Sequence, residues 1–413
     1  MKLYRREDYL RKIRGFYHDT GMIKVITGVR RCGKSCLMQT IAAELAESGV
    51  PAENIIYLNL DKRIFRGVKT PDQLDSLIAE KSGTHGVKYL FIDEIQNVDH
   101  FEEVLNGFRE EEEYSIFITG SNSYLLSGEL ATKLTGRYLE FELYTLSFAE
   151  YLEMKTFLGK PPASDLTAEF DRYLTEGGFP KALEYEGADK RTYIREIVRE
   201  IFEKDIKRRV QIRDISVFET VQRYIINNFG AVVSLTNILN DLAKNGCSTK
   251  RETLRRYIRI LESAKIIYPC PQFDLKSRKS IAGDRKYYLA DLGFYFAMNT
   301  DRRIHYGPVL ENIVFLYAKS KGYSVSVGRI GNLECDFILN RGDNIYAYVQ
   351  VTMTIADSLE TENREYRPLE KIKDNYPKYI LTRNDLLQQR GGIQHENIAP
   401  FIKEGREFSL GND

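Results

Sequence analysis

Eight residues near the start of the chain, Gly28-Val-Arg-Arg-Cys-Gly-Lys-Ser35, constrain its fold more than any other stretch. They fit the phosphate-binding pattern G-x-x-x-x-G-K-[ST] at every specified position. The flanks fit as well. Residues 22–27 (MIKVIT) read as a short buried strand, and residues 35–47 read as a helix. Strand, glycine-rich loop and helix is the order that phosphate binding requires. Gly28 and Gly33 let the backbone turn its N–H groups inward, and the helix N-terminus adds partial positive charge. Lys34 is expected at the β- and γ-phosphates, with the Ser35 hydroxyl as a Mg²⁺ ligand. Val29, Arg30, Arg31, Cys32 and Cys36 complete the expected nucleotide-contacting loop.

A phosphate loop implies nucleotide binding without implying hydrolysis. The second half of such a site is expected at residues 88–96 (KYLFIDEIQ). Residues 89–92 form an apolar run of the kind found in a parallel strand buried on both faces. Asp93 at its carboxyl end can hold Mg²⁺ through water. Glu94 is placed to act as the general base on the attacking water; the alternative is a solvated carboxylate at a strand end. A third strand-like run, residues 115–119, ends in small polar residues, and Leu134-Thr-Gly-Arg137 follows.

Together with Phe148–Tyr151 and Gly177-Gly-Phe-Pro180, these pieces resemble a widespread prokaryotic family of AAA-type ATPases whose C-terminal half is a conserved domain of unassigned function. The resemblance runs nearly end to end. It implies ATP and Mg²⁺ as ligands and an ATP-hydrolysing core. It also implies that a polar residue after the third strand, Thr119, Ser121 or Asn122, contacts the γ-phosphate or the water. Arg137 is either a surface cation or an arginine finger, acting in its own subunit or on a neighbour.

Composition narrows the alternatives. Among 413 residues, 43% are apolar and 29% charged, as in an ordinary globular protein with room for two or three domains. The net charge of +1 does not announce a nucleic-acid partner, so any such contact must be local. No run of eighteen apolar residues suggests a membrane span, and the charged N-terminus does not resemble a secretory signal. The five cysteines have no metal-ligand spacing, so a reducing cytoplasm is expected.

The expected fold class is α/β. A P-loop parallel sheet is assigned to residues 1–145 and a helical lid to 146–230. A winged-helix segment follows at 231–300, then a restriction-endonuclease-like α/β domain at 301–413. In the third segment Leu254, Tyr257, Ile258 and Leu261 mark one buried helix face, while Lys250, Arg251, Arg255 and Arg259 lie largely off it. These cations are the candidate contacts to double-stranded DNA; otherwise they are solvated. A homo-oligomer is a further candidate partner.

In the last segment, Glu311 on a helix and Asp336 on a strand resemble the metal-binding carboxylates of the PD-(D/E)xK nuclease core. The third motif reads Gln350-Val-Thr352. Its carboxylate has become an amide and its lysine is missing, so no nuclease activity is expected. A neutral threonine does not stabilise developing phosphorane charge as lysine does.

Overall fold

The computed structural model describes residues 3–83, 85–120, 134–207, 212–244, 246–299, 303, 305–342 and 345–411. Two compact units emerge. One comprises residues 1–143 with 263–265; the other comprises residues 144–262 with 266–413.

The first unit is built on a parallel sheet. Helix α1 (Glu7–Ile13) precedes β1 (Ile23–Thr27), whose five residues are all buried. Then come α2 (Lys34–Glu47), β2 (Ile55–Asn59), α3 (Pro71–Lys81), β3 (Lys88–Asp93), α4 (Phe101–Glu110), β4 (Tyr114–Thr119) and β5 (Tyr138–Glu142). Sheet order is β2-β3-β4-β1-β5, with every pairing parallel. Parallel strands need crossovers and helices over their faces, which explains the near-continuous apolar runs of β1, β3 and β4. Leu58, Leu90, Ile92, Leu105 and Ile118 meet in the core with no exposure. Helix α3 starts on a capping box, Thr70 with Gln73.

The second unit begins with helices α5 (Phe148–Phe157), α6 (Leu166–Glu176) and α7 (Gly187–Glu200). The capping box at Ser147 and Glu150 opens α5. Between α6 and α7 lies Gly177-Gly-Phe-Pro180, and packing explains both glycines. A Cβ on Gly177 would lie 1.9 Å from Asp291 Oδ1, and one on Gly178 would lie 2.3 Å from the Leu146 carbonyl oxygen. The Gly178 N–H donates to Asp291 Oδ2 at 2.7 Å. Burial pushes the Asp291 carboxyl up to about 6, and the Gly178 and Gly293 N–H groups partly oppose that rise.

Helix α8 (Ile215–Asn227), strand β6 (Val232–Val233), α9 (Leu235–Lys244) and α10 (Arg251–Ser263) follow. Next is a hairpin of β7 (Ile267–Asp274) and β8 (Lys279–Leu289). Their cross-strand pairing continues past Cys270 through Gln272, Phe273 and Asp274, which meet Ile281, Ser280 and Lys279. The chain continues through α11 (Gly293–Met298), α12 (Tyr306–Ser320), β9 (Ser324–Ile330), β10 (Leu333–Asn340), β11 (Tyr346–Val351), α13 (Leu359–Lys371), β12 (Lys378–Thr382), β13 (Gln389–Arg390), β14 (Ile393–Asn397) and α14 (Ile398–Lys403).

Among the described residues, the strands of this unit join one mixed sheet, ordered β13-β14-β12-β11-β10-β9-β7-β8-β6. β7 pairs in parallel with β9. The hairpin of the 231–300 segment is therefore continuous with the sheet of the 301–413 segment. No sequence period announces that junction, because it joins strands about fifty residues apart.

Candidate functional site

The carboxyl ends of β1, β2, β3 and β4 lie side by side, and the chemistry expected from the sequence converges there. Thr27 ends β1 and leads into the glycine-rich loop. Gly28 adopts φ +138°, and a Cβ there would sit 2.1 Å from the Leu143 carbonyl oxygen. That oxygen cannot move freely, because the Leu143 N–H is bonded to Thr27 O at 2.8 Å. Gly28→Ala is thus expected to distort the loop and abolish nucleotide binding, measured by titration with a fluorescent ATP analogue. Gly33 takes φ +109° at the start of α2. Within the loop, Arg31 is the non-glycine residue in left-handed backbone, at φ 69°.

Lys34 is buried, and its ammonium donates to Gly28 O at 2.9 Å and Val29 O at 3.3 Å. Ser35 is half-buried in the first turn of α2, and Cys36 beside it is exposed. At Val29 and Cys32 the side chains turn inward. Both side chains are core residues, 1% and 0% exposed, and the Cys32 N–H is bonded to Val29 O at 3.2 Å. Their side chains stabilise the loop from below. Arg30 is half-buried and Arg31 exposed.

Asp93 ends β3 and is buried. Asn59, the last residue of β2, donates Nδ2 to Asp93 Oδ2 at 2.9 Å. Thr119, the last residue of β4, donates its hydroxyl to Asp93 Oδ1. The same Thr119 oxygen accepts the Glu94 N–H at 3.3 Å. One carboxylate is thus oriented from both neighbouring strands.

Glu94 follows in left-handed backbone, φ 59° and ψ 46°, and is half-buried. That conformation costs about 1 kcal/mol or more in a non-glycine residue. It turns the chain sharply out of β3. Burial raises the Glu94 carboxyl above its ordinary range, while the charges of Lys34 and Arg30 pull it back. Gln96 Nε2 donates to Glu94 Oε2.

Two expected contacts, Ser121 and Asn122, lie outside the described residues. Thr119 is described, and it holds Asp93 and Glu94 together. Arg137 lies apart from this edge of the sheet. It sits at the amino end of β5, where its carbonyl accepts the Ile23 N–H at 3.0 Å. Ile23 begins β1, whereas the phosphate loop follows Thr27. Five strand residues at ~3.3 Å each separate the two ends by about 16 Å. The structure does not bring Arg137 to its own subunit's loop.

Two contributors were missed from the sequence. Asn59 had a readable signal: an apolar run, IIYLN, ending in a polar residue as β3 and β4 do. Arg6, buried and donating to Cys32 O at 3.3 Å, gave none. It immediately precedes α1, and no local pattern marks it.

The second unit holds another polar cluster. Glu311 on α12 accepts Lys286 Nζ at 3.0 Å and the Tyr288 hydroxyl at 2.7 Å. Lys286 also meets Glu334 Oε1 at 2.9 Å. Asp336 Oδ2 accepts the Val351 N–H at 2.8 Å, and Gln350 Nε2 donates to Glu365 Oε2 at 3.1 Å. Burial and the Glu311 charge raise the Asp336 carboxyl well above its ordinary range. The lysine missing at Thr352 therefore has a counterpart from another strand: Lys286 of β8 supplies the cation facing these carboxylates. Its pairing with Glu311 and Glu334 leaves it committed inside the protein.

As a donor set for Mg²⁺, Ser35 with the oriented Asp93 fits the hard-oxygen preference of that ion. The cluster of Lys286, Glu311 and Asp336 fits less well, because Lys286 already provides its positive charge.

Comparisons with known proteins agree with this layout. Residues 20–152 match an AAA domain family (AAA_14), and residues 167–303 match a domain of unknown function (DUF8612). An uncharacterized protein of Haemophilus influenzae is 37% identical, covering 91% of this chain and 92% of its own length. One from Methanocaldococcus jannaschii is 31% identical over 88% of this chain and 82% of its own. In fold, the chain is similar to a Walker-type ATPase of Pyrococcus abyssi, with TM-score 0.50 and 15% identity, covering 72% of this chain and 96% of that one. The chain belongs to the AAA-type P-loop ATPase family, joined to a second domain that the family assigns no function.

Proposed function

We propose that this chain binds ATP with Mg²⁺ at the carboxyl edge of its five-stranded sheet and hydrolyses it to drive a conformational change. The observation that carries the reading is the three-strand brace of Asn59, Asp93 and Thr119, which sets Glu94 beside a complete phosphate loop.

In this reading the backbone of residues 28–35 cradles the phosphates. Lys34 exchanges its carbonyl partners for phosphate oxygens, and Ser35 and Asp93 hold the metal. Mg²⁺, when bound, neutralises charge on the phosphate oxygens. Glu94 takes a proton from the attacking water, and its raised affinity for protons suits a base working near neutrality. Thr119 keeps Asp93 and Glu94 in register. This reading assigns any finger role of Arg137 to the site of another copy of the chain, because its backbone lies at the opposite end of β1 from the loop. The 286–365 cluster carries no hydrolytic chemistry in this reading.

A test is equilibrium ATP binding with and without Mg²⁺. Lys34→Ala is expected to weaken affinity at least tenfold, as loss of a charge-assisted contact implies. Unchanged affinity in Lys34→Ala contradicts the site.

One feature favours a second reading, a nucleotide-gated switch on double-stranded DNA with little turnover. Lys250, Arg251, Arg255 and Arg259 are all exposed, and the last three follow one another at four-residue spacing along α10. In a winged helix such a helix enters the major groove. Its signature is a DNA affinity that falls steeply with salt and depends on nucleotide. Absence of DNA binding at low salt in both nucleotide states eliminates it.

A further inference from the structure

A recess of about 600 Å³ in the second unit shares no residue with either cluster above. Four chain segments meet there: the β7–β8 turn, the β9–β10 turn, the start of β11 and the segment after α13. Phe273, Ile330, Tyr346 and Ile372 give it an apolar and aromatic lining. Phe273 and Tyr346 stay half-buried, their ring centroids 6.3 Å apart. They therefore keep accessible surface of their own.

Cations dominate the rest of the lining. Lys276 and Arg278 come from the β7–β8 turn, and Lys371 and Lys373 from the end of α13 and just beyond. All four are exposed, and among the described residues none has an ion-pair partner. Two acids lie nearby, and both are engaged elsewhere. Asp274 Oδ1 accepts the N–H groups of Lys276 and Ser277 at 2.7 and 3.2 Å, which builds the turn that presents the cations. Asp374 accepts the Tyr348 hydroxyl at 2.6 Å and the Tyr376 N–H at 3.3 Å. Four positive charges against two negative leave a surplus of two.

Long cationic side chains often just cover apolar surface. Here they accompany aromatic rings that remain accessible inside a concavity, and that pairing selects a ligand class. We propose that this recess binds single-stranded nucleic acid, with bases against Phe273 and Tyr346 and phosphates on Lys276, Arg278, Lys371 and Lys373. Aromatic platforms beside a positive groove bind single strands because every base offers a π-face. A duplex keeps its bases stacked and offers this recess only phosphates. An acidic peptide satisfies the cations and gains little from the rings. The inference does not depend on ATP hydrolysis.

The test is fluorescence anisotropy of a dye-labelled, mixed-sequence single-stranded DNA with the full chain, at low and moderate salt. Binding is expected at low salt and weakens as salt rises. Tyr346→Leu keeps apolar bulk and removes the ring, so affinity falls about tenfold; Tyr346→Phe restores it. Lys276→Glu with Arg278→Glu lowers affinity at least tenfold and flattens the salt slope. These two residues are exposed, so an unchanged calorimetric profile verifies the fold. Arg255→Glu on α10 leaves single-strand affinity unchanged, which separates this site from duplex contact there. No binding at low salt overturns the proposal. So does equal affinity for the duplex, an unaltered Tyr346→Leu, or equal competition by polyglutamate.

Discussion

Glu94→Gln is expected to lower ATP turnover by about 10²–10⁴-fold while leaving ATP affinity near the wild-type value, since general-base contributions fall in that range. The amide is isosteric with the carboxylate but cannot accept a proton from water. It keeps the left-handed backbone position that aims the side chain. The loss should therefore appear in kcat, measured by phosphate release, with affinity measured separately.

The same substitution carries a stability signature with a defined sign. Burial raises the Glu94 carboxyl in the folded state. The stability linked to its protonation is present below the unfolded value of ~4.3 and is lost as pH rises through the folded value. At neutral pH the ionised carboxylate therefore costs stability, and Glu94→Gln raises the melting temperature. That gain disappears in calorimetry below about pH 4, where both states carry the proton.

Lys286→Met is expected to destabilise the second unit by about 3–5 kcal/mol, the usual consequence of removing one partner from a buried ion pair. The Lys286 side chain is 7% exposed and faces Glu311 and Glu334. Without it, half-buried Glu311 and buried Asp336 lose the cation that offsets their charge. The loss should shrink as pH falls, because protonation removes their charges. Calorimetry at neutral and acidic pH checks both parts. Pairing the change with Glu311→Gln should recover part of the loss, since that removes one uncompensated charge.

The nucleotide edge was legible because its signals are local. A phosphate loop is contiguous, and Asp93 and Glu94 end an apolar run that reads as a buried parallel strand. Thr119 and Asn59 end similar runs, although only the paired strands reveal that both side chains reach Asp93. The position of Arg137 was illegible for a geometric reason. Gly-Arg before a strand gives no direction, and β5 runs parallel to β1, which puts its first residue at the far end of the sheet. Lys286 was illegible as the partner of Glu311, because the ion pair joins β8 to a helix twenty-five residues later. The recess between the hairpin turn and α13 was illegible for the same reason. Its lining comes from four separate segments, and only folding brings them together.

The central claim is that this edge hydrolyses ATP, and phosphate release by the purified wild type and Lys34→Ala, each with Mg²⁺ and with EDTA, tests it most directly. The account predicts release by the wild type that requires Mg²⁺ and is abolished in Lys34→Ala. Release that persists in Lys34→Ala, or wild-type protein that binds ATP and releases no phosphate in Mg²⁺, would contradict it.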